Sequence, residues 1–115
     1  MITKFKIFES VNDDKPTVGD YVIINENSDT YSTEALKFIN NSIGYIWKSP
    51  VNSSNYLLVK YNDIPKDVMF YFGYSDYSEG LKIANSILIF SEKVKYWSKD
   101  KEDLIPLLQA NKYNL

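Results

Sequence analysis

The chain has 115 residues, 44% of them hydrophobic and 24% charged, with a formal net charge of -2. This length and balance predict one globular domain with a single core, spanning residues 1–115. Cysteine and histidine are absent, which excludes disulfides, the commonest zinc ligands and the Ser-His-Asp and Cys-His hydrolase designs. All 13 basic residues are lysines, so arginine's bidentate contacts to guanine or phosphate are also excluded. We therefore predict a protein that is not an enzyme and has no cofactor or metal.

The first predicted elements are two strands. Phe5 and Ile7 alternate with lysines, which is the period of a half-buried strand. The stretch KPTVGDYVII then places Gly19 and Asp20, two residues that suit a tight turn, before the β-rich run of residues 21–24. The sequence predicts a loop, a turn and a second strand here.

A helix and a hairpin follow. STEALKFINNSIG predicts a short helix with Ser32 as N-cap, ended by Asn40 and Asn41. The apolar positions that share its predicted face are Leu36, Ile39 and Ile43. Residues 42–48 and 56–61, separated by the polar loop SPVNSSN, predict a pair of strands.

The second half begins with a break at Pro65. Residues 67–72 predict one irregular or helical turn packed by Val68, Phe70 and Phe72. Residues 81–84 and 87–90 predict one bent strand or two, and residues 94–97 predict a last short strand.

The C-terminal tail SKDKEDLIPLLQANK predicts a helix capped by Ser98 or Asp100. Pro106 is tolerated only near the first turn, so the helix either starts late or is kinked. Together the elements predict an α+β domain with a small, bent antiparallel sheet or an SH3-like barrel, an inserted short helix and a C-terminal helix.

Two resemblances add to this interpretation. The order GDYVII, IGYIWK and YLLVKY over residues 16–61 resembles the strands of SH3-like barrels, including the KOW-type modules of transcription and translation proteins. FKIFES, VGDYVII, SIGYIW, YLLVKYNDIP and WSKDKEDLIPLLQANKYNL together resemble short uncharacterised accessory proteins of tailed phages from AT-rich hosts. The second resemblance implies a phage-encoded accessory protein and carries no activity over to particular residues.

Aromatic side chains are the candidate partner-binding residues. Tyr71, Tyr74 and Tyr77 lie in YFGYSDYSEG, whose composition resembles antibody paratopes. Trp47 and Trp97 are the largest apolar side chains, and tryptophan is enriched at interface hot spots. The alternative for all five is packing in the core or at its rim.

Lysines near the two chain ends are the candidate nucleic-acid contacts. They would form one basic face if the termini meet, with aromatic neighbours for base stacking; the alternative is a solvated lysine edge that protects a sheet. These residues are Lys4, Lys6, Lys93, Lys95, Lys99 and Lys101. The acidic net charge and the lack of arginine disfavour nucleic acid as the partner.

Three functions follow from these features. The first hypothesis is a non-catalytic phage-type protein that binds a host or phage protein, with an anti-CRISPR-like inhibitor of host defence as its specific form. The alternatives are an SH3-like nucleic-acid-binding module and a structural component of the virion. The apolar runs are too short to span a bilayer, and the N-terminus lacks a signal peptide's apolar stretch, so we expect a cytoplasmic protein, in the host cell if phage-encoded.

Overall fold

The fold is a five-stranded antiparallel sheet with short helices, in a computed structural model that describes residues 15–49, 55–74 and 84–113. The strand order is β4-β3-β2-β1-β5. The strands are β1 (Tyr21–Ile24), β2 (Ile43–Lys48), β3 (Tyr56–Lys60), β4 (Ser86–Phe90) and β5 (Val94–Ser98). The helices are α1 (Thr33–Asn40), α2 (Ile105–Tyr113) and the 3₁₀ helices η1 (Lys66–Tyr71), η2 (Ser91–Lys93) and η3 (Lys101–Asp103).

The predicted α+β class is confirmed, with the inserted helix and the C-terminal helix in place. Every strand pair is antiparallel. Within the described residues the sheet is open and has β4 and β5 at its edges, so the open sheet is observed rather than the closed SH3-like barrel. The predicted strand around Phe5 and Ile7, and residues 81–83 of the later one, lie outside the described residues.

The turn in KPTVGDYVII has the form that the sequence predicts. Gly19 has a φ of 98°, a conformation that favours glycine. The Asp20 carboxylate accepts a hydrogen bond of 2.8 Å from the Thr17 N–H and pairs with Lys99 Nζ at 2.9 Å. The turn therefore directs the chain into β1 and ties it to the residue that follows β5.

One face of the sheet carries the main core. Strand side chains alternate between faces, and α1 and η1 supply residues to the same buried cluster. The cluster comprises Val22, Ile24, Ala35, Ile39, Ile46, Leu57, Val59, Tyr61, Val68, Phe72, Ile87 and Ile89. The side chains of Val59 and Tyr61 lie close to Gly44, and a Cβ there would clash with the Val59 side chain and lie 2.8 Å from Tyr61 Cζ.

Helix α1 ends before the last of the three residues that the sequence predicts on its apolar face. Ser32 is its N-cap and accepts a hydrogen bond of 3.1 Å from the Ala35 N–H, as predicted. Ala35 and Ile39 are the buried residues of this helix. The prediction that Ile43 shares the helix face is wrong, because the helix ends at Asn40 and Ile43 begins β2.

The turn after Pro65 is helical, but its packing differs from the prediction. Val68 and Phe72 are buried in the core. Phe70, predicted to pack there, has 74% of its surface exposed. In a 3₁₀ helix, residues three apart share a side, so Val68 and Tyr71 face the protein while Phe70 points away.

The predicted late start of the C-terminal helix is confirmed. The Asp100 side chain accepts a hydrogen bond of 3.1 Å from the Glu102 N–H and caps η3. Helix α2 begins at Ile105, which places Pro106 in its first turn, where the missing N–H has no helical partner to lose. Leu104, which lies between η3 and α2 in the chain, is fully buried.

Candidate functional site

An exposed aromatic surface on η1 and the loop before α1 is the candidate site. We call Tyr31, Met69, Phe70 and Tyr71 the aromatic patch. The Phe70 and Tyr71 ring centroids are 4.2 Å apart, and those of Tyr31 and Tyr71 are 5.2 Å apart. Phe70 and Met69 are exposed, whereas Tyr31 and Tyr71 are partly buried against the core. The exposed rings therefore rest on rings that the fold holds in place.

Hydrogen bonds fix the two inner tyrosines. The Tyr71 hydroxyl accepts a hydrogen bond of 3.0 Å from the Ser32 N–H, which joins η1 to the N-terminus of α1. The Tyr31 N–H donates to the Ser28 carbonyl at 3.3 Å. Burial raises the pKa of the Tyr31 hydroxyl, and the negative charge of Glu26 raises it further. Tyr31 therefore stays neutral at physiological pH.

The loop that carries Tyr31 is clamped to the end of α1. The Asn40 side chain accepts from the Glu26 N–H at 2.7 Å and donates to the Glu26 carbonyl at 2.9 Å. The buried Glu26 carboxylate accepts from the N–H groups of Asn27 and Ser28 at 3.1 and 3.2 Å. A side chain in the last turn of α1 thus determines where this loop begins.

Three aromatic rings underlie this side of the core. Phe38, Tyr61 and Phe72 have centroid separations of 5.6, 5.8 and 5.9 Å, within the range of favourable aromatic pairs. Tyr61 is buried, and burial raises the pKa of its hydroxyl far above the ordinary tyrosine value. These rings give the patch a rigid apolar base.

The structure brings one predicted partner-binding tyrosine into the patch. Tyr71 belongs to it, although its hydroxyl is engaged with Ser32. Tyr74 is exposed and forms an isolated bridge with Ser86 at the start of β4. Tyr77 lies outside the described residues.

The two tryptophans are not the exposed residues of the site. Trp47 is partly buried and its Nε1 donates a hydrogen bond of 2.7 Å to Ser86 Oγ. Trp97, on β5, is partly buried and packs against the core cluster. The position of Trp97 matches the alternative of packing beside the core, whereas Trp47 is tied to β4 through its indole N–H.

The described lysines of the predicted basic face lie at separate positions on the protein. Lys93 donates to Asn27 Oδ1 at 2.7 Å and lies 3.8 Å from Glu26, while Lys99 pairs with Asp20. These two residues flank β5, roughly 20 Å apart along extended backbone. Lys95 lies over the Tyr96 ring. Lys101 borders a groove on the face of the sheet opposite the main core. Lys4 and Lys6 lie outside the described residues.

The sequence pattern predicts Phe70 in the core and does not mark Tyr31 or Met69 as site residues. A 3₁₀ spacing in residues 66–71 would have separated Phe70 from Val68. No local signal places Tyr31 beside Tyr71, because they are distant in sequence and meet only through packing of η1 on the start of α1.

Comparisons with known proteins give no match to a family model, to a curated protein or to a solved structure. Within the described ranges, no group of three or more His, Cys, Asp or Glu side chains is arranged to hold a metal ion. Among the described helices, none has the length and apolar character to span a bilayer.

Proposed function

We propose that this protein is a non-catalytic accessory factor that binds a host or phage protein through the aromatic patch. The observation that carries the proposal is Phe70, a phenylalanine with 74% of its surface exposed, stacked on a tyrosine that is hydrogen-bonded to the start of α1. Exposed apolar clusters of this kind are favoured positions for protein contacts.

The geometry favours binding in energetic terms. Full burial of a phenylalanine side chain contributes about 1.5–3 kcal/mol, and most of the Phe70 surface is still available for burial. Because Tyr71 and Tyr31 are held by the fold, docking orders few additional side chains, which keeps the entropic cost of association low. Phe70 is therefore the expected hot spot, and Met69 provides an adaptable rim.

The more specific form of the proposal is a phage-encoded inhibitor of an antiphage system such as CRISPR-Cas, acting in the host cytoplasm. Its support is the resemblance of the sequence to phage accessory proteins, the small size of the chain and the absence of histidine and cysteine. Inhibition by surface occlusion requires a rigid binding surface and no catalytic side chain.

The test is tagged capture from phage-infected host cells with the wild-type chain and with Phe70→Ser, with and without nuclease. Phe90→Ser is the matched control, because Phe90 is also an exposed phenylalanine but lies on β4, away from η1. The expected result is one stoichiometric protein that resists nuclease, is retained by Phe90→Ser and is lost with Phe70→Ser. Thermal unfolding of both variants checks that the fold is intact.

Other outcomes separate the alternatives. Partners that vanish with nuclease would indicate the nucleic-acid module. Recovery of the chain in purified particles, together with oligomerisation, would indicate a virion component. Capture of the same partner by wild type and by folded Phe70→Ser would refute binding through the aromatic patch.

A further inference from the structure

A polar groove lies on the face of the sheet opposite the main core. Its volume is about 430 Å³, and its walls include Tyr21, Tyr45, Lys60, Asn62, Asn85 and Lys101. Small-ligand sites in proteins span about 300–1,000 Å³. The groove is therefore large enough to hold a small molecule or one unit of a polymer.

The register of the sheet builds this groove. Tyr21 on β1 pairs with Tyr45 on β2, and Tyr45 pairs with Lys60 on β3. Residues paired directly across strands share a face, whereas their neighbours Val22, Gly44 and Val59 are buried on the other face. Two tyrosines and a lysine thus form a row across three adjacent strands.

The row provides both an aromatic surface and a positive charge. The Tyr21 and Tyr45 ring centroids are 5.0 Å apart, with the planes tilted by 55°. Lys60 Nζ lies over the Tyr45 ring, 5.5 Å from its centroid, in a cation–π contact. Lys101, in η3, adds a second cation at the β1–β5 side of the groove.

The charge of the groove differs from that of the whole protein. The chain carries a net charge of -2, but the described residues that line the groove include two lysines and, among them, no carboxylate. Asn62 and Asn85 provide amide donors and acceptors beside these cations. Aromatic faces suit planar rings, lysines suit phosphate, and asparagine amides suit the edges of bases.

We propose that this groove binds a nucleotide unit, with the base against the Tyr21–Tyr45 surface and the phosphate attracted by the flanking cations Lys60 and Lys101. The unit is either a free nucleotide or one residue of a single strand. This inference is independent of the aromatic patch, because the two surfaces lie on opposite sides of the sheet.

The first arm of the test measures binding of adenosine monophosphate, adenosine and inorganic phosphate to the intact chain by calorimetry and by NMR shift mapping. We expect saturable binding of the monophosphate, with shifts at Tyr21 and Tyr45 and weaker binding of adenosine and of phosphate alone. No saturable binding of the monophosphate or the single strand at millimolar concentration would overturn the proposal. Equal affinity for inorganic phosphate would also overturn it, because the base would then contribute nothing.

The second arm uses a short oligoadenylate single strand. Tighter binding of the strand than of the monophosphate identifies the polymer as the source of the nucleotide, and the reverse order identifies the free nucleotide. For the oligoadenylate, the slope of the logarithm of the binding constant against the logarithm of the salt concentration should become shallower by about 0.7 when one lysine contact is removed.

Variants assign the binding to the groove. Lys60→Gln and Lys101→Gln should each weaken binding about fivefold, and Tyr45→Leu should weaken it about tenfold through lost stacking. Lys37→Gln is the matched control, since Lys37 is exposed on α1 and should leave affinity unchanged. If both groove lysine variants bind as wild type does, the site is not this groove.

Discussion

Removal of the buried Tyr61 hydroxyl should stabilise the protein. Tyr61 is 2% exposed, and among the described residues its hydroxyl has no hydrogen-bond partner. A buried polar group without a partner costs about 1–3 kcal/mol relative to its hydrated state. Tyr61→Phe keeps the ring contacts with Phe38 and Phe72, so we expect the free energy of unfolding to rise by about 1 kcal/mol.

The same hydroxyl links stability to alkaline pH. Burial raises its pKa above the ordinary value of 10.0, with smaller contributions from Tyr31 and Glu26. A raised folded pKa means that the folded state retains the proton while the unfolded chain releases it above pH 10. This titration therefore leaves the free energy of unfolding of wild type unchanged below pH 10 and lowers it as the pH rises above 10. Above pH 10 the folding equilibrium constant of wild type should fall about tenfold more per pH unit than that of Tyr61→Phe.

Urea unfolding of both proteins at neutral pH and at pH about 11 measures the two effects. Tyr45→Phe is the control, since it removes a hydroxyl from the open groove and should change the free energy of unfolding by less than about 0.5 kcal/mol. If Tyr61→Phe is destabilised at neutral pH and its gap from wild type is constant with pH, the hydroxyl has a partner and the reasoning fails.

Three further substitutions test the packing that supports the two surfaces. Gly44→Ala should lower the free energy of unfolding by about 2 kcal/mol, because the new Cβ meets the Val59 side chain; an unchanged urea midpoint would contradict this. Ser32→Ala should cost about 1 kcal/mol through the lost N-cap, measured by thermal unfolding, and no loss would mean that water replaces the cap. Asn40→Ala should lower the free energy of unfolding by about 2 kcal/mol, because the N–H and the carbonyl of Glu26 both lose a hydrogen-bond partner. If the Glu26 amide hydrogen exchanges at the wild-type rate in this variant, Asn40 does not hold the loop.

The elements that the sequence predicts correctly depend on local chemistry. Ser32 caps α1 because its hydroxyl accepts from an N–H three residues ahead. Gly19 has a positive φ just before β1, and Pro106 lies in the first turn of α2. Each of these signals is complete within a few residues, so no tertiary information is needed to interpret it.

The contacts that position the candidate site are long-range and leave no local signal. The Asn40 amide grips the backbone of Glu26 across the loop and helix between them, and Tyr71 reaches the N–H of Ser32. An asparagine at a helix end and a tyrosine in a short turn are common on any surface. The predicted tyrosines therefore led to Tyr71 but not to Tyr31 or Phe70, whose exposure depends on which side of η1 faces the core.

The arrangement of the sheet makes the two proposed surfaces separable. Strand alternation sends Val22, Gly44 and Val59 to the core beneath α1 and η1, and sends Tyr21, Tyr45 and Lys60 to the groove. Because the aromatic patch and the groove lie on opposite faces of the sheet, the effects of substitutions in the two surfaces on stability should add. A Phe70→Ser chain that keeps its nucleotide affinity, and a Lys60→Gln chain that keeps its protein partner, would establish two independent sites on one small sheet. Loss of both activities in either variant would instead mean that one ligand spans the edge of the sheet and contacts both faces.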